Sequence, residues 1–342
     1  MNPEMIAAKR DSRSHFRLPA LRGQGALRIR RLRRFITVLL TILIVVANSD
    51  LCVAGELGRI GVTVTDLGNP FFVRIARGVE KAAKRFVGAE AKVYVASSAY
   101  DLNRQNEQID FFIMKKVDLI VLIAADPLAI EPAVRRAQAK GIRVVALDVR
   151  AAGADLTLTT DNIQAGEFAC QHIIDRLKGN GDVIIISGPP VSATTDRVAG
   201  CLSKLESSPG IRVLSSDRNG GGNSEGGFAK MTDLLTAFPH IDAVFAINDP
   251  TAIGADDAAH QAGRKDFFIV GVDGAPKAKE RMRDADSLIV ATVAQMPDLL
   301  AQKAVELGYM LIRQKPLSKR EVKIPAVLLT RESASDVGGW GQ

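Results

Sequence analysis

The sequence predicts an α/β fold made of two parallel-sheet lobes, and three observations carry that expectation. From Leu57 to about Arg313, short apolar runs alternate with helical patterns. The runs are continuously apolar, as in strands covered by helices on both faces of a parallel sheet. At 342 residues the chain exceeds one ordinary domain and fits two. Alternation at this spacing implies right-handed βαβ units of Rossmann-like kind.

The first unit is Arg59 to Phe72, RIGVTVTDLGNPFF. Val and Thr make Arg59–Val64 a strand; Gly68 and Asn69 turn the chain; Pro70 suits a first helical turn, where its missing N–H costs nothing. Further strands are expected at Ala91–Ala96, Val117–Ala124, Arg143–Leu147, Asp182–Ile186, Arg212–Ser215, Ala243–Ile247, Phe267–Val272 and Ser287–Ala294. Helical patterns lie between them, at Phe72–Phe86, Asn103–Lys115, Ile163–Leu177, Glu225–Ala237 and Pro297–Leu311, with Gly141, Gly179 and Gly263 where C-caps belong. Leu156–Asp161, LTLTTD, alternates like an edge or crossing strand and marks the break between lobes. Gly220-Gly221-Gly222-Asn223 reads as the most flexible internal loop, and the tail after Thr330 as poorly ordered.

The formal charge of +7 suggests nucleic acid or a membrane surface until its distribution is read. Ten Lys or Arg and three Asp or Glu precede Gly55; the remainder holds 35 of each sign and is neutral. No nucleic-acid partner is therefore expected. Arg28, Arg30, Arg31, Arg33 and Arg34 lead into Ile36–Ala47, ITVLLTILIVVA, a basic region followed by about a dozen apolar residues, as in an export signal. Cleavage is expected near Ala54, which places the mature chain in the periplasm. The competing accounts are an uncleaved anchor and a start codon later than Met1. Cys52 leaves with the signal. Cys170 and Cys201 remain, either as two small core residues or as a disulfide if their Cα atoms lie within about 7 Å. A metal site lacks ligands and spacing, and no cofactor is expected.

Polar residues stand just past several strands. Thr65 and Asn69 follow the first, with Phe71 and Phe72 behind them; Asp148 follows Leu147; Asn248 and Asp249 follow Ile247; Asp273 follows Val272; Gln295 follows Ala294. Arg197 sits early in the helix after Ile184–Ser187. Singly, each has an ordinary account as a cap, a turn residue or a solvated charge. Together they occupy the C-terminal strand ends, where open α/β sheets bind ligands. Carboxylates accept hydroxyl hydrogen bonds, Asn and Gln donate and accept, Arg donates from a rigid fork, and the two rings offer flat apolar faces. That set suits a neutral sugar or polyol.

The same residues resemble a known family. NPFF (Asn69–Phe72), ALD (Ala146–Asp148), TDN (Thr160–Asn162), DRVAG (Asp196–Gly200), LLTAFP (Leu234–Pro239), VFAIND (Val244–Asp249), VGVDG (Val270–Gly274) and TVAQMPD (Thr292–Asp298) stand in the order found in periplasmic substrate-binding proteins of the ribose-binding type, the soluble component of sugar ABC importers. The resemblance runs from about Arg59 to Leu329. It implies periplasmic binding protein type I architecture: two lobes joined by a three-crossing hinge near Thr160–Asp161, Gln295–Met296 and Ala326–Val327. The lobes would comprise 57–160 plus 296–326 and 161–295 plus 327–330, with a tail at 331–342. It carries ligand contacts to Asn69, Phe71, Phe72, Asp148, Arg197, Asn248, Asp273 and Gln295, with Thr65 as a pocket hydroxyl. It also implies a monomer that binds a small sugar or polyol, closes, and docks permease subunits in the inner membrane, with a chemoreceptor as a further partner. Two departures stand out. Val149 occupies a position where the family often has Arg, so that Arg150 is expected to point elsewhere. Gly221-Gly222-Asn223 supplies no aromatic wall.

Two other classes compete. A sugar-responsive repressor shares such a fold but needs an N-terminal helix-turn-helix, which Met1–Ala54 does not offer. An enzyme would need a phosphate loop, a GxGxxG after a strand or a nucleophile elbow; the first two are absent, and the GxSxG spelling at Gly222–Gly226 belongs to the glycine-rich loop, with no His at a strand end to serve it. His15, His172, His240 and His260 neither pair nor fall at strand C-termini. A ligand-binding sensor that presents its loaded form to a chemoreceptor or sensor kinase keeps the fold and changes only the output.

Overall fold

The computed structural model describes residues 58–333 and 340. The leader, the apolar run 36–47 and the cleavage expected near Ala54 lie outside the described residues. No helix among the described residues is long and apolar enough to cross a membrane.

Two six-stranded sheets organise the chain. The first contains β1 (Arg59–Val64), β2 (Lys92–Ser97), β3 (Leu119–Leu122), β4 (Arg143–Leu147), β5 (Leu156–Thr160) and β11 (Glu321–Ile324), ordered β2-β1-β3-β4-β5-β11 and parallel throughout. The second contains β6 (Asn180–Ser187), β7 (Gly210–Asn219), β8 (Ala243–Ala246), β9 (Phe268–Asp273), β10 (Ile289–Ala294) and β12 (Val327–Thr330), ordered β7-β6-β8-β9-β10-β12. Only β12 runs antiparallel there, against β10. The two orders are equivalent, so the fold expected from alternation is a repeated doubly wound unit. The chain passes between sheets after β5, after β10 and between β11 and β12, beside the three expected crossings.

Helices α1 (Pro70–Val87), α2 (Leu102–Met114), α3 (Glu131–Gln138) and α9 (Pro297–Ile312) belong with the first sheet; α4 (Asn162–Leu177), α5 (Ser192–Glu206), α6 (Ser224–Ala237), α7 (Asp249–Gln261) and α8 (Pro276–Arg283) with the second. Their starts were written in the sequence: Asn69, Asp101, Asp161, Asn223 and Asn248 each accept a backbone N–H as N-caps, a bond worth about 1 kcal/mol apiece. Gly141, Gly179 and Gly263 all take positive φ after helices. Central strands β3 and β8 are wholly buried, which explains their unbroken apolar runs.

Three elements depart from expectation. β7 extends four residues beyond Ser215, because an edge strand keeps pairing through polar Ser-Asp-Arg-Asn without any apolar signal. β11 and β12 are four-residue edge strands separated by Pro325-Ala326, too short to stand out. Trp340, in the segment expected to be poorly ordered, packs on the body of the protein.

Cys170 and Cys201 form a disulfide, with Cα atoms 5.1 Å apart, joining α4 to α5. Closing a loop across a sequence separation of 31 residues stabilises by roughly 3–4 kcal/mol in the chain-entropy account. The same two helices touch backbone to backbone. A Cβ on Gly166 would lie 2.0 Å from the Arg197 carbonyl, so only glycine allows the approach that brings Arg197 to the interior.

Candidate functional site

The strand C-termini of both sheets face one interlobe cleft. A narrow cavity is lined by Asn69, Phe71, Phe72, Tyr100 and Asp148 from the first sheet's side and by Val191, Arg197, Asn248, Asp273 and Gln295 from the second's. Eight of the nine expected site residues therefore meet around one space. Thr65 is fully buried and does not line that cavity. It sits beneath Tyr100, whose backbone N–H binds the Thr65 carbonyl.

Asp148 carries the first sheet's carboxylate to the cavity. It takes φ +66°, a conformation that Asp and Asn tolerate better than most residues, and so turns its side chain off the end of β4. Its N–H binds the Leu158 carbonyl at 2.8 Å, anchoring the turn to β5. The side chain is buried, and Oδ1 has no partner. Burial pushes this carboxyl up to about 6; Arg197 pulls it down and Asp273 adds to the rise. A buried acceptor without a donor costs about 1–3 kcal/mol, which a hydroxyl-bearing ligand would recover.

The second sheet supplies a braced counterpart. Asp273, at φ +137°, accepts Gln295 Nε2 at 2.8 Å and lies 3.9 Å from Arg197 Nη1. Burial again pushes its carboxyl up to about 6, against the Arg197 charge and the Gln295 bond. Arg197 donates Nε–H to Asn162 Oδ1 at 2.9 Å and Nη1–H to the Ile247 carbonyl at 3.0 Å, which spends two of five N–H groups. Gln295 accepts Thr160 Oγ1–H at 2.7 Å, so one amide ties the crossing after β5 to the crossing after β10 and to Asp273. Asn69 and Asn248 are both caps and cavity walls. Their Oδ1 atoms hold helix N–H groups, Asn248 Nδ2 binds the Gly222 carbonyl, and Asn69 keeps its amide N–H₂ for the cleft. The ordinary account and the functional one hold together.

Asp249 lies behind this surface. It accepts Thr292 Oγ1–H at 2.6 Å and Ala275 N–H at 2.7 Å, and a Cβ at Gly271 would sit 2.5 Å from Oδ1. Burial and the Asp273 charge hold its carboxyl well above the usual range. Its role is to fix the loop after β9 against β10.

Several contacts were beyond sequence reasoning. Tyr100 follows β2 at a strand end, the one signal that could have singled it out; burial pushes its hydroxyl up to about 12. Asn162, inside TDN, holds Arg197 instead of meeting ligand. Arg150 does point away from the cavity, as expected, and what it meets is across the cleft. Its guanidinium pairs with both oxygens of Asp196 at 2.7 and 2.8 Å, and its N–H binds Ser192 Oγ at 2.7 Å. Beside it Val149 is buried, and Val191, just before α5, and Ala193 within it join the first lobe's apolar cluster. Arg150→Ala should therefore weaken ligand binding roughly three- to tenfold by removing a half-exposed contact of the closed form, with a stronger loss at low salt; titration calorimetry at two ionic strengths reads it. Equal affinities at both would remove the pair from closure.

Gly222 stands where an aromatic wall was absent from the sequence. It borders a second, outer cavity of about 240 Å³ that also touches Asn69, Asp66, Ile253 and Lys277. The cleft is thus open at that side. At the opposite ends of β6 and β8, Asp182, His240 and Asp242 lie together, but Arg212 takes both Asp182 oxygens and the Asp182 N–H binds Asp242.

Residues 60–316 match the model of the periplasmic binding protein domain, three-quarters of the chain. The chain belongs to the periplasmic binding protein family. Among relatives, it is 32% identical over 276 residues to the ribose import binding protein of Bacillus subtilis, covering 80% of this chain and 87% of that one. It is 32% identical over 244 residues to the xylitol-binding protein of Mycolicibacterium smegmatis, covering 70% and 67%. A solved ABC transporter periplasmic solute-binding protein from Actinobacillus succinogenes, with bound D-allose, superposes with a TM-score of 0.75 at 26% identity, covering 82% of this chain and all of that one. These relatives are binding proteins and not enzymes. The periplasmic binding protein fold accounts for the paired sheets and the three passages between them.

Proposed function

We propose that this chain is an exported solute-binding protein that captures a small sugar or polyol between its lobes and delivers it to an ABC importer. The observation that carries the reading is a pair of buried carboxylates, Asp148 and Asp273, one from each sheet, facing one cavity walled by Phe71 and Phe72. Hydroxyls would donate to the carboxylates and C–H faces would lie on the rings. Asn69, Phe71, Phe72 and Asp148 form the half-site of the lobe comprising 57–160 plus 296–326, with Thr65 buried behind it; Arg197, Asn248, Asp273 and Gln295 form that of 161–295 plus 327–330. A ligand bonded to both halves shifts the population toward closure about the hinge. The closed form is the species that permease subunits in the inner membrane would recognise, and the one a chemoreceptor or sensor kinase would read. A monomer exported to the periplasm, cut near Ala54, suffices for each.

A thermal-shift screen against pentoses, hexoses, polyols and non-sugar metabolites tests this. The right ligand at a hundredfold over its Kd should add roughly 2.7 kcal/mol of stability. Silence from every sugar and polyol would overturn the ligand class.

A further inference from the structure

Trp340 is the single tryptophan of the chain and lies beyond the residues that match the family model. It nevertheless touches both halves of the cleft. Its ring meets Phe71 edge-on, 6.1 Å between centroids and 61° between planes, and packs on the first lobe's core. Its indole Nε1–H donates to the Asp273 carbonyl at 2.7 Å, at the end of β9 in the second sheet. Phe71 and Asp273 are both cavity walls.

We propose that Trp340 is a positioning residue for ligand binding, an interlobe clasp that steadies one ligand-facing group on each lobe and favours the closed form. The physical case has two parts. Asp273 holds φ +137°, a region L-residues rarely occupy, so its peptide needs outside support to aim the carboxyl into the cavity. A hydrogen bond to its own carbonyl from a rigid indole provides that support. Phe71 in turn already meets Phe72 edge-on at 5.5 Å, and Trp340 packs its other neighbourhood, which limits where the ring can turn. One side chain cannot keep both contacts while the lobes part, so its bonds count toward the closed state only. The proposal stands on the geometry of the cleft, and its second test alone rests on the sugar reading.

Being unique, the indole reports on itself. In the ligand-free chain, acrylamide should quench Trp340 emission less than it does in the urea-unfolded chain, and Trp340→Ala should enlarge the radius of gyration measured by small-angle scattering. Quenching equal to that of the unfolded chain, or an unchanged radius, overturns the clasp whatever the ligand proves to be. The second test uses whichever of D-ribose, xylitol or myo-inositol raises the melting temperature, or the best sugar of the screen. Saturation should then change the emission. Trp340→Ala should raise Kd about tenfold through faster dissociation, and Trp340→Phe, which keeps a ring and loses the N–H, should fall between. Unchanged dissociation in both variants, with far-ultraviolet circular dichroism intact, overturns the role in binding. If no sugar shifts the native melting temperature, the sugar reading fails and the scattering and quenching results decide the clasp alone.

Discussion

Asp148→Asn should weaken ligand binding by roughly ten- to a hundredfold while raising the melting temperature of the ligand-free protein. The two effects have one cause. Burial holds the Asp148 carboxyl up near 6, so at neutral pH the folded chain carries an ionised group that it would rather keep neutral. The amide removes that cost and retains the shape. Asn also tolerates φ +66°, and the backbone bond to Leu158 is untouched. Binding moves the other way. A carboxylate accepts two strong hydroxyl bonds, each worth about 1.5–3 kcal/mol when charge-assisted, and the amide replaces one acceptor with a donor. Calorimetric Kd values and ligand-free melting curves for native and variant chains read both. A variant that loses stability and keeps its affinity would make Asp148 a structural turn residue.

Most of this site was legible because the fold converts a one-dimensional rule into a surface. Parallel strands all end on the same edge, so a polar residue just past a buried run lands at the cleft wherever the run sits in the chain. Asp148, Asn248, Asp273 and Gln295 follow that rule directly. Arg197 was read from its place early in a helix after a strand, and it reaches the same space through a glycine contact that the sequence alone does not show. Contacts that depend on closure left no such trace. Arg150 and Asp196, on different lobes, are 46 residues apart, and Trp340 of the tail and Asp273 are 67 apart. Neither pair has a periodicity, and each side chain alone reads as a solvated charge or a tail residue. The edge strands β11 and β12 were hidden for a related reason. An edge buries one face over four residues, too little to outweigh Pro325 between them.

Ligand affinity should fall steeply below pH 6, by about tenfold per carboxylate at pH 5 relative to pH 7.5. Asp148 and Asp273 are both pushed up to about 6 by burial, with Arg197 opposing. For a carboxyl whose folded value exceeds its unfolded one, the folded state holds the extra proton between those values. These two groups therefore make the ligand-free chain more stable as pH falls from 7 toward 4, the reverse of a salt-bridged Asp. Hydroxyls that donate to the carboxylates favour the ionised forms, so the complex titrates lower than the free protein. Proton and ligand then compete. Binding must release protons near pH 6, and calorimetry in two buffers of different ionisation enthalpy measures that release without assuming any pKa. The ligand-induced rise in melting temperature should shrink over the same interval while the ligand-free melting temperature holds or climbs. Asp148→Asn should lose about half of the logarithmic pH dependence, because one titrating acceptor remains. A flat affinity from pH 5 to 7.5 would mean that the ligand leaves both carboxylates unbonded, and the cavity would then have to recognise something other than a hydroxyl donor.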